Sequence, residues 1–529
     1  MSFDIIKPYR ELGILLLAVF ALHSVFIVIP PLNGDEALFW EWSRHLALGY
    51  YSHPPMTAWA IAAVDSVFGT SKYTIRLTAL ILHILTLMIV FRMAKDLKRD
   101  GRFALVCCVI YALMPISVIL GSLITTDCSL IFFWASAAYC TKKAVIDDRK
   151  WYWGGAGIAA GGMLLTKFLS FPFFPSVFLF LIFSSKYRKQ LLTIYPYLSF
   201  LLAIIITGPF LYWNSENNWL TFQFNFVARH GNIGFEWQKP FIYLGGQLLS
   251  ASPVFFSAIL VAGVLFVGSG LTGKIASNRG GSSRDGVIFY SWLVMVPIVF
   301  FLLQSFVVRI GAHWPGAIYS VAAVVLGAWL YQCGGMTIHA TIRKVRLYWI
   351  GIGGTLLVSI PLAAVAIQPK LLPDRYIYTS PIDRKQPIGA QYFGWVEVGQ
   401  RIAELRDKWE SRPEGFFLST NNYAVASLLD FYTPGFADFV FVGHTLDKLH
   451  GKEFLMWENG RKKLGANTIY VVDRPLKRRT RQMLSRYFEE IRELPNLEIK
   501  DEAGRILRIF YFTLGLKYKG GEPPNLSLW

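Results

Sequence analysis

The sequence predicts a polytopic α-helical membrane protein of about eleven spanning helices, followed by a soluble C-terminal α/β domain. Three observations carry this expectation. The 529 residues are 54% hydrophobic but only 16% charged, whereas a soluble chain of this size carries about 25% charged residues. Apolar runs long enough to cross a bilayer recur from residue 11 to residue 367. Beyond residue 368 such runs stop, and short apolar stretches alternate with charged, helix-periodic ones.

The first span covers 11–30. No small-residue cleavage pattern follows it, so it reads as a spanning helix and not as a removable leader. A polar, aromatic loop then occupies 32–74. Spans follow near 75–94, 103–121 and 128–146. Residues 151–184 have a polar point at Thr166 and Lys167 in their middle and read as a hairpin of two spans. Gly157 and Gly161 in its first arm have the small-xxx-small spacing that permits close helix contact. Further spans lie near 191–213, 241–268, 287–306, 314–331 and 347–367.

The net charge is +18. A balance of this kind can signal nucleic-acid binding, but here the basic residues sit in short loops between apolar runs. Lys95, Lys98, Arg99 and Arg102 follow the second span; Lys142, Lys143, Arg149 and Lys150 follow the fourth; Lys186, Arg188 and Lys189 follow the sixth. Lys274, Arg279 and Arg284 follow the eighth, and Arg343, Lys344 and Arg346 the tenth. This is the positive-inside pattern. It makes those loops cytoplasmic and points to lipid headgroup or lipid phosphate, not nucleic acid, as the anionic partner. The loop 32–74, the loop 214–240 and everything after 368 then lie on the outer face. The five cysteines, Cys107, Cys108, Cys128, Cys140 and Cys333, have neither metal-site nor disulfide-framework spacing and read as small buried hydrophobes.

These features divide the chain into a membrane domain over 1–367 and an outer α/β domain over 368–529. In the tail, strands are expected over 416–419, 439–442, 468–472 and 506–512, and helices over 396–409, 423–431 and 476–487. The Gly- and Ser-rich segment 269–286 reads as a cytoplasmic linker. The basic run 477–481 fits an anionic glycan or lipid surface and equally fits a solvated helix face.

The chemistry is expected on the outer face. Asp35 and Glu36 open the first loop, and carboxylates at a membrane helix end are costly unless they bind something. Phe39, Trp40, Trp42, Tyr50 and Tyr51 surround them in sequence. Such a carboxylate can take a proton from a sugar hydroxyl or hold a divalent metal ion; alternatively, Asp35 caps the helix over 36–48. Asp127 falls on the same side, with the same two readings, catalysis or helix cap. Arg76 and Lys167 are isolated cations beside long apolar runs on the outside, where the orientation rule does not require them. A lipid-linked phosphate accounts for both, and so does snorkelling at helix ends. No Gly-rich phosphate loop is found, so a nucleotide-sugar site is not expected.

These residues resemble a known group. D-E-x-x-F at 35–39, Y-x-H-P-P at 51–55 and R-L-x-A-L at 76–80 are similar to motifs of the protein O-mannosyltransferase superfamily, the C-type (GT-C) glycosyltransferases that use polyprenyl-phosphate sugars. L-L-T-K at 164–167, W-N-x-x-N-x-W-x-x-F at 213–222, A-H-W-P at 312–315, G-W at 394–395 and F-Y-x-P-G at 431–435 resemble its bacterial branch, which includes the lipid A aminoarabinose transferases. The resemblance runs along nearly the whole chain.

The resemblance implies a multi-pass protein of the bacterial inner membrane whose active site and tail face the periplasm. It implies transfer of a sugar from undecaprenyl phosphate to lipid A, lipopolysaccharide or another envelope glycan. Asp35 would be the catalytic carboxylate, with Glu36 beside it, and Asp127 would shape the same cavity. Arg76 and Lys167 would hold the donor phosphate. Trp40, Tyr51, His53 and His313 would line the substrate cavity, although a purely structural role for the His53 turn is an equal reading. No tightly bound cofactor is implied beyond a divalent ion near Asp35 and Asp127. Protein O-mannosylation and non-enzymatic flipping of lipid-linked sugars are the competing functions.

Overall fold

A computed structural model describes residues 2–227, 234–272, 281–332, 338–380, 386–410, 414–433, 435, 440–441, 453–457 and 463–520. Cys333, the middle of the 269–286 linker, the ends of the 439–442 stretch and Pro434 of the 431–435 motif lie outside the described residues.

The membrane part contains α1 (Ser2–Val28), α2 (Gly34–Arg44), α3 (Met56–Phe68), α4 (Lys72–Leu97), α5 (Gly101–Leu113), α6 (Pro115–Ser122), α7 (Thr126–Val145) and α8 (Tyr152–Leu164). It continues with α9 (Phe173–Phe183), α10 (Tyr195–Glu216), α11 (Leu220–Phe226), α12 (Gln238–Ala251), α13 (Pro253–Thr272), α14 (Gly281–Ser305), α15 (Ile318–Gln332) and α16 (Ile338–Ile367). Among the described residues, five helices are long and apolar enough to cross a membrane: Lys7–Val28 within α1, α4, α10, α13 and Arg284–Ser305 within α14. The bent pair α5 and α6 makes a sixth if counted as one span. The other apolar runs of the sequence form shorter helices. The hairpin expected over 151–184, for instance, is built from α8 and α9 of 13 and 11 residues.

The break between α5 and α6 is 72° and has a local cause. Met114 precedes Pro115 and takes an extended conformation (ψ 133°). Proline disfavours helical backbone in the residue before it and fits the first position of a new helix. The sequence reads 103–121 as one continuous span; in the structure its second half turns away, and Ile116, Ile119 and Leu120 of α6 become a cavity wall. The close packing expected of Gly157 and Gly161 is present. A Cβ on Gly157 would come 2.6 Å from the carbonyl of Ser199, and one on Gly161 would come 2.7 Å from Ile206. Both neighbours belong to α10, so α8 and α10 pack nearly backbone to backbone.

The tail holds a five-stranded sheet in the order β2-β1-β3-β5-β4, from β1 (Phe416–Thr420), β2 (Val440–Phe441), β3 (Asn467–Val472), β4 (Phe488–Lys500) and β5 (Ile506–Tyr518). β1 runs parallel to β2 and β3, and β5 pairs antiparallel with β3 and β4. The helices are α17 (Trp395–Glu410), α18 (Tyr423–Tyr432), α19 (Glu453–Trp457) and α20 (Arg478–Tyr487). Strand β4 has no counterpart in the sequence reading. It is an edge strand, mostly solvated and rich in Glu, so its composition hides it. α17 and α18 pack together, and α18 also packs on α2 of the membrane part.

Candidate active site

Asn33 caps α2, and its side chain accepts from the backbone N–H of Asp35 (2.9 Å) and Glu36 (3.0 Å). Asp35 therefore sits inside the first helical turn and is not the cap. Its carboxylate is exposed and accepts one hydrogen bond, from the Tyr423 hydroxyl at 3.0 Å. The same logic holds at α7. Thr125 is the cap, accepting from the N–H of Asp127 at 3.2 Å. In both places the cap reading is corrected: a neighbouring residue two positions earlier satisfies the helix end, and the carboxylate is released for another use.

Asp127 spends its carboxylate on Lys167. The ammonium donates to Oδ1 at 2.9 Å and Oδ2 at 3.1 Å, and both side chains are buried. Lys167 follows the end of α8 in extended backbone (φ −164°, ψ 141°), which turns it out of the helix stack toward α7. His313, between α14 and α15, brings Nε2 within 3.8 Å of Asp127 Oδ2. Its loop is tied to α12, where Gln247 donates to the Ala312 carbonyl (3.1 Å) and accepts from the Tyr319 hydroxyl (2.7 Å).

These groups share one cavity of about 520 Å³. Asp35, Asp127, Lys167, His53, His313 and Tyr423 line it, with an apolar side formed by Ile116, Ile119, Leu120 and Leu249. Six segments of the membrane part and one of the tail thus converge. The volume and the few polar groups on an apolar wall suit a small-molecule or lipid-headgroup site. Among the described residues no three His, Cys, Asp or Glu side chains gather to hold a metal ion. With both Asp127 oxygens on Lys167, the divalent-ion reading of Asp35 and Asp127 gains no support.

The family model for dolichyl-phosphate-mannose-protein mannosyltransferase matches residues 52–213. The chain is 26% identical to the lipid A galacturonosyltransferase RgtD of Rhizobium johnstonii, over 70% of this chain and 72% of that one. It is 25% identical to the undecaprenyl phosphate-α-4-amino-4-deoxy-L-arabinose arabinosyl transferase of Serratia proteamaculans, over 74% and 71%. The crystal structure of ArnT from Cupriavidus metallidurans in the apo state superposes with a TM-score of 0.60 at 14% identity, covering 95% of this chain and 98% of that one. The chain thus shares its fold with this solved structure and part of its sequence with these transferases. The same ArnT, in a structure bound to undecaprenyl phosphate, superposes equally well, at a TM-score of 0.60 and 13% identity.

In this fold, four of the expected site residues lie elsewhere. Glu36 and Arg76 form a buried pair instead of facing the cavity. Arg76 Nε donates to Glu36 Oε1 (2.8 Å) and Nη2 to Oε2 (2.7 Å). The remaining guanidinium N–H groups go to the carbonyls of Phe26, Ile27, Pro30 and Pro31. With every N–H engaged inside the chain, Arg76 has none left for a donor phosphate, and that expectation is corrected. Glu36 also accepts from the N–H groups of Asn33 and Ile124, so it braces the loop and cannot act as a base. Trp40 is fully buried, edge-on to Phe431. Tyr51 packs with Leu220 and Phe224, and burial pushes its phenol up to about 12. Neither lines the cavity.

Other residues enter the site without having been foreseen there. Trp42 lines the cavity while stacked on Tyr50, ring centroids 4.6 Å apart. Ser52 lines it too, and its hydroxyl lies 3.1 Å from His53 Nδ1 and 3.3 Å from Glu453 Oε1. The turn 50–53 is held from below by the 213–222 motif and its continuation: Thr221 donates to the Tyr50 carbonyl (2.7 Å) and Asn225 to that of Ser52 (2.9 Å). Tyr423 is the least foreseeable, because it comes from the tail, 388 positions from Asp35.

Proposed function

We propose that the chain is a C-type glycosyltransferase that moves a sugar from a polyprenyl phosphate to lipid A or another cell-envelope glycan, in the cavity between Asp35 and the Asp127–Lys167 pair. Two relatives support the substrates: one is named for lipid A and galacturonosyl transfer, the other for an undecaprenyl-phosphate sugar donor. The observation that carries the reading is the convergence of a solvated carboxylate and a buried ammonium on one partly apolar cavity.

The reaction is a displacement at the anomeric carbon. The acceptor oxygen bonds to that carbon, the bond from carbon to phosphate oxygen breaks, and polyprenyl phosphate leaves. Lys167 gives two N–H groups to Asp127 and keeps a third for a phosphate oxygen, where it stabilises the charge of the leaving group. Asp127 holds that ammonium in position. Asp35 takes the proton of the acceptor hydroxyl. His313, near Asp127, and His53, which also lines the cavity, position the sugar by hydrogen bonds. The prenyl chain lies along the apolar side formed by α6 and Leu249.

The topology belongs to the same proposal. In this reading about eleven spans, the shorter helices included, cross a bacterial inner membrane, with the basic loops in the cytoplasm and the cavity and the 368–529 domain in the periplasm. The membrane domain over 1–367 then carries the chemistry, with its motif loop over 32–74.

The test is reconstitution in liposomes containing an undecaprenyl-phosphate sugar and lipid A. The wild-type chain consumes donor and forms a glycosidic product detectable by mass spectrometry, Asp35→Asn does not, and Lys167→Met does so about a hundredfold less efficiently. Undiminished turnover by Asp35→Asn would refute the base assignment. Movement of donor across the bilayer without product would replace the transferase with a flippase.

A further inference from the structure

The geometry points to Tyr423, a residue of the α/β tail, as the positioning residue of Asp35. This inference rests on the reading of Asp35 as the proton acceptor, and it gives the tail a part in the chemistry that neither a passive cap nor an acceptor platform would have.

Two helix N-termini meet at this carboxylate. Asn33 caps α2 and puts Asp35 in its first turn. Asn422 caps α18, accepting from the N–H groups of Ala424 (2.9 Å) and Val425 (3.3 Å), which makes Tyr423 the first residue of that helix. A carboxylate near helix N-termini is favoured by the partial positive charge there. The Tyr423 hydroxyl donates to Oδ1 of Asp35 at 3.0 Å. One oxygen and one rotamer are thereby occupied, and Oδ2 is left as the lone basic atom toward the acceptor hydroxyl. Tyr423 itself lines the cavity, so the contact stands inside the site.

The docking that makes this contact is close and specific. Gly34 lies so near α18 that a Cβ there would come 2.4 Å from the Cβ of Ala424. The Tyr432 hydroxyl receives the N–H of Leu32 (3.0 Å), and Asp430 receives Arg44 (2.9 Å). Glu453 of α19 receives the Ser52 N–H (3.3 Å), and Trp457 stacks on His45 with centroids 4.4 Å apart. The tail therefore grips the first half of the 32–74 loop, from Leu32 to Ser52, and sets the α2–α18 spacing that the Asp35 contact needs.

Steady-state kinetics on the reconstituted full chain test this. Tyr423→Phe should lower kcat about tenfold, the worth of one hydrogen bond to a charged group at a solvated site, with the KM for the lipid donor and the melting temperature unchanged. Gly34→Ala, which alters no polar group, should lower kcat similarly by wedging α2 from α18. Adding Ala424→Gly, which removes the colliding methyl, should restore most of it. The double variant Tyr423→Phe/Gly34→Ala should be no slower than either single one. If Asp35→Asn is inactive but Tyr423→Phe keeps kcat within twofold of wild type, the positioning role is wrong and the base assignment stands. A raised donor KM at unchanged kcat makes Tyr423 a donor ligand and also overturns the proposal. Full turnover by Asp35→Asn removes the reading beneath both.

Discussion

The guanidinium of Arg76 closes on the carboxylate of Glu36 with hydrogen bonds of 2.8 and 2.7 Å, and the two side chains are 1% and 0% exposed. Arg76 joins the second long helix to the end of the first and to the start of the 32–74 loop, so the pair is the pin on which the loop is mounted. Removing one member of a buried ion pair strands the other charge and costs about 3–5 kcal/mol. Arg76→Ala should therefore depress the melting temperature in detergent and the yield of folded protein. Arg76→Lys should not rescue it, because one ammonium has three donors for six acceptors. A stable Arg76→Ala protein with only a raised donor KM would return Arg76 to the phosphate.

The Asp127–Lys167 pair should behave differently. Lys167→Met removes the cavity cation and is expected to reduce kcat/KM for the lipid donor by about a hundredfold, roughly 2.7 kcal/mol of transition-state stabilisation. The exchange Asp127→Lys/Lys167→Asp keeps a buried pair and should recover much of the stability lost in the single variants. It should stay inactive, because the cation then extends from α7. Thermal melts and donor kinetics on the same samples separate the two effects.

The cap of α2 gives a smaller, graded test. Asn33→Ala deletes the acceptor for the N–H groups of Asp35 and Glu36. A cost of about 1 kcal/mol in stability is expected, along with reduced turnover as the first turn carrying Asp35 frays. Asn33→Ser, which can cap, should remain close to wild type in both melting temperature and rate.

The contact between α8 and α10 predicts a purely structural defect. Gly157→Val would drive a side chain into the Ser199 carbonyl, 2.6 Å from the added Cβ, and backbone cannot yield as a side chain can. Folded protein recovered from membranes should drop sharply. Gly154, whose Cβ would meet nothing within 4 Å, should accept alanine without loss.

Much of the architecture was legible in the chain. The apolar runs became helices, and the expected strands at 416–419, 468–472 and 506–512 became β1, β3 and β5, each within a few residues at its start. Asp35, Asp127 and Lys167 were singled out as charged groups beside apolar runs on one face of the predicted topology, His53 and His313 by the motifs that resemble a known family, and one cavity receives all five. The bend at Met114–Pro115 also had a visible signal in the proline, but the length of the 103–121 run concealed it.

Glu36 and Arg76 show where sequence reasoning ends. Asp35 and Glu36 are adjacent acids, and Arg76 and Lys167 are both lone cations beside apolar helices; nothing local ranks one above the other. The apolar runs determined which segments become helices in the first part of the chain, since an apolar run must satisfy its own backbone hydrogen bonds wherever it lies. Only the tertiary structure decided which charge pairs with which, that Asn33 and Thr125 cap in place of the aspartates, and that a tyrosine from the tail reaches Asp35. A charged side chain takes its role from the partner that meets it, and here the partners arrive from 40 to 388 positions away.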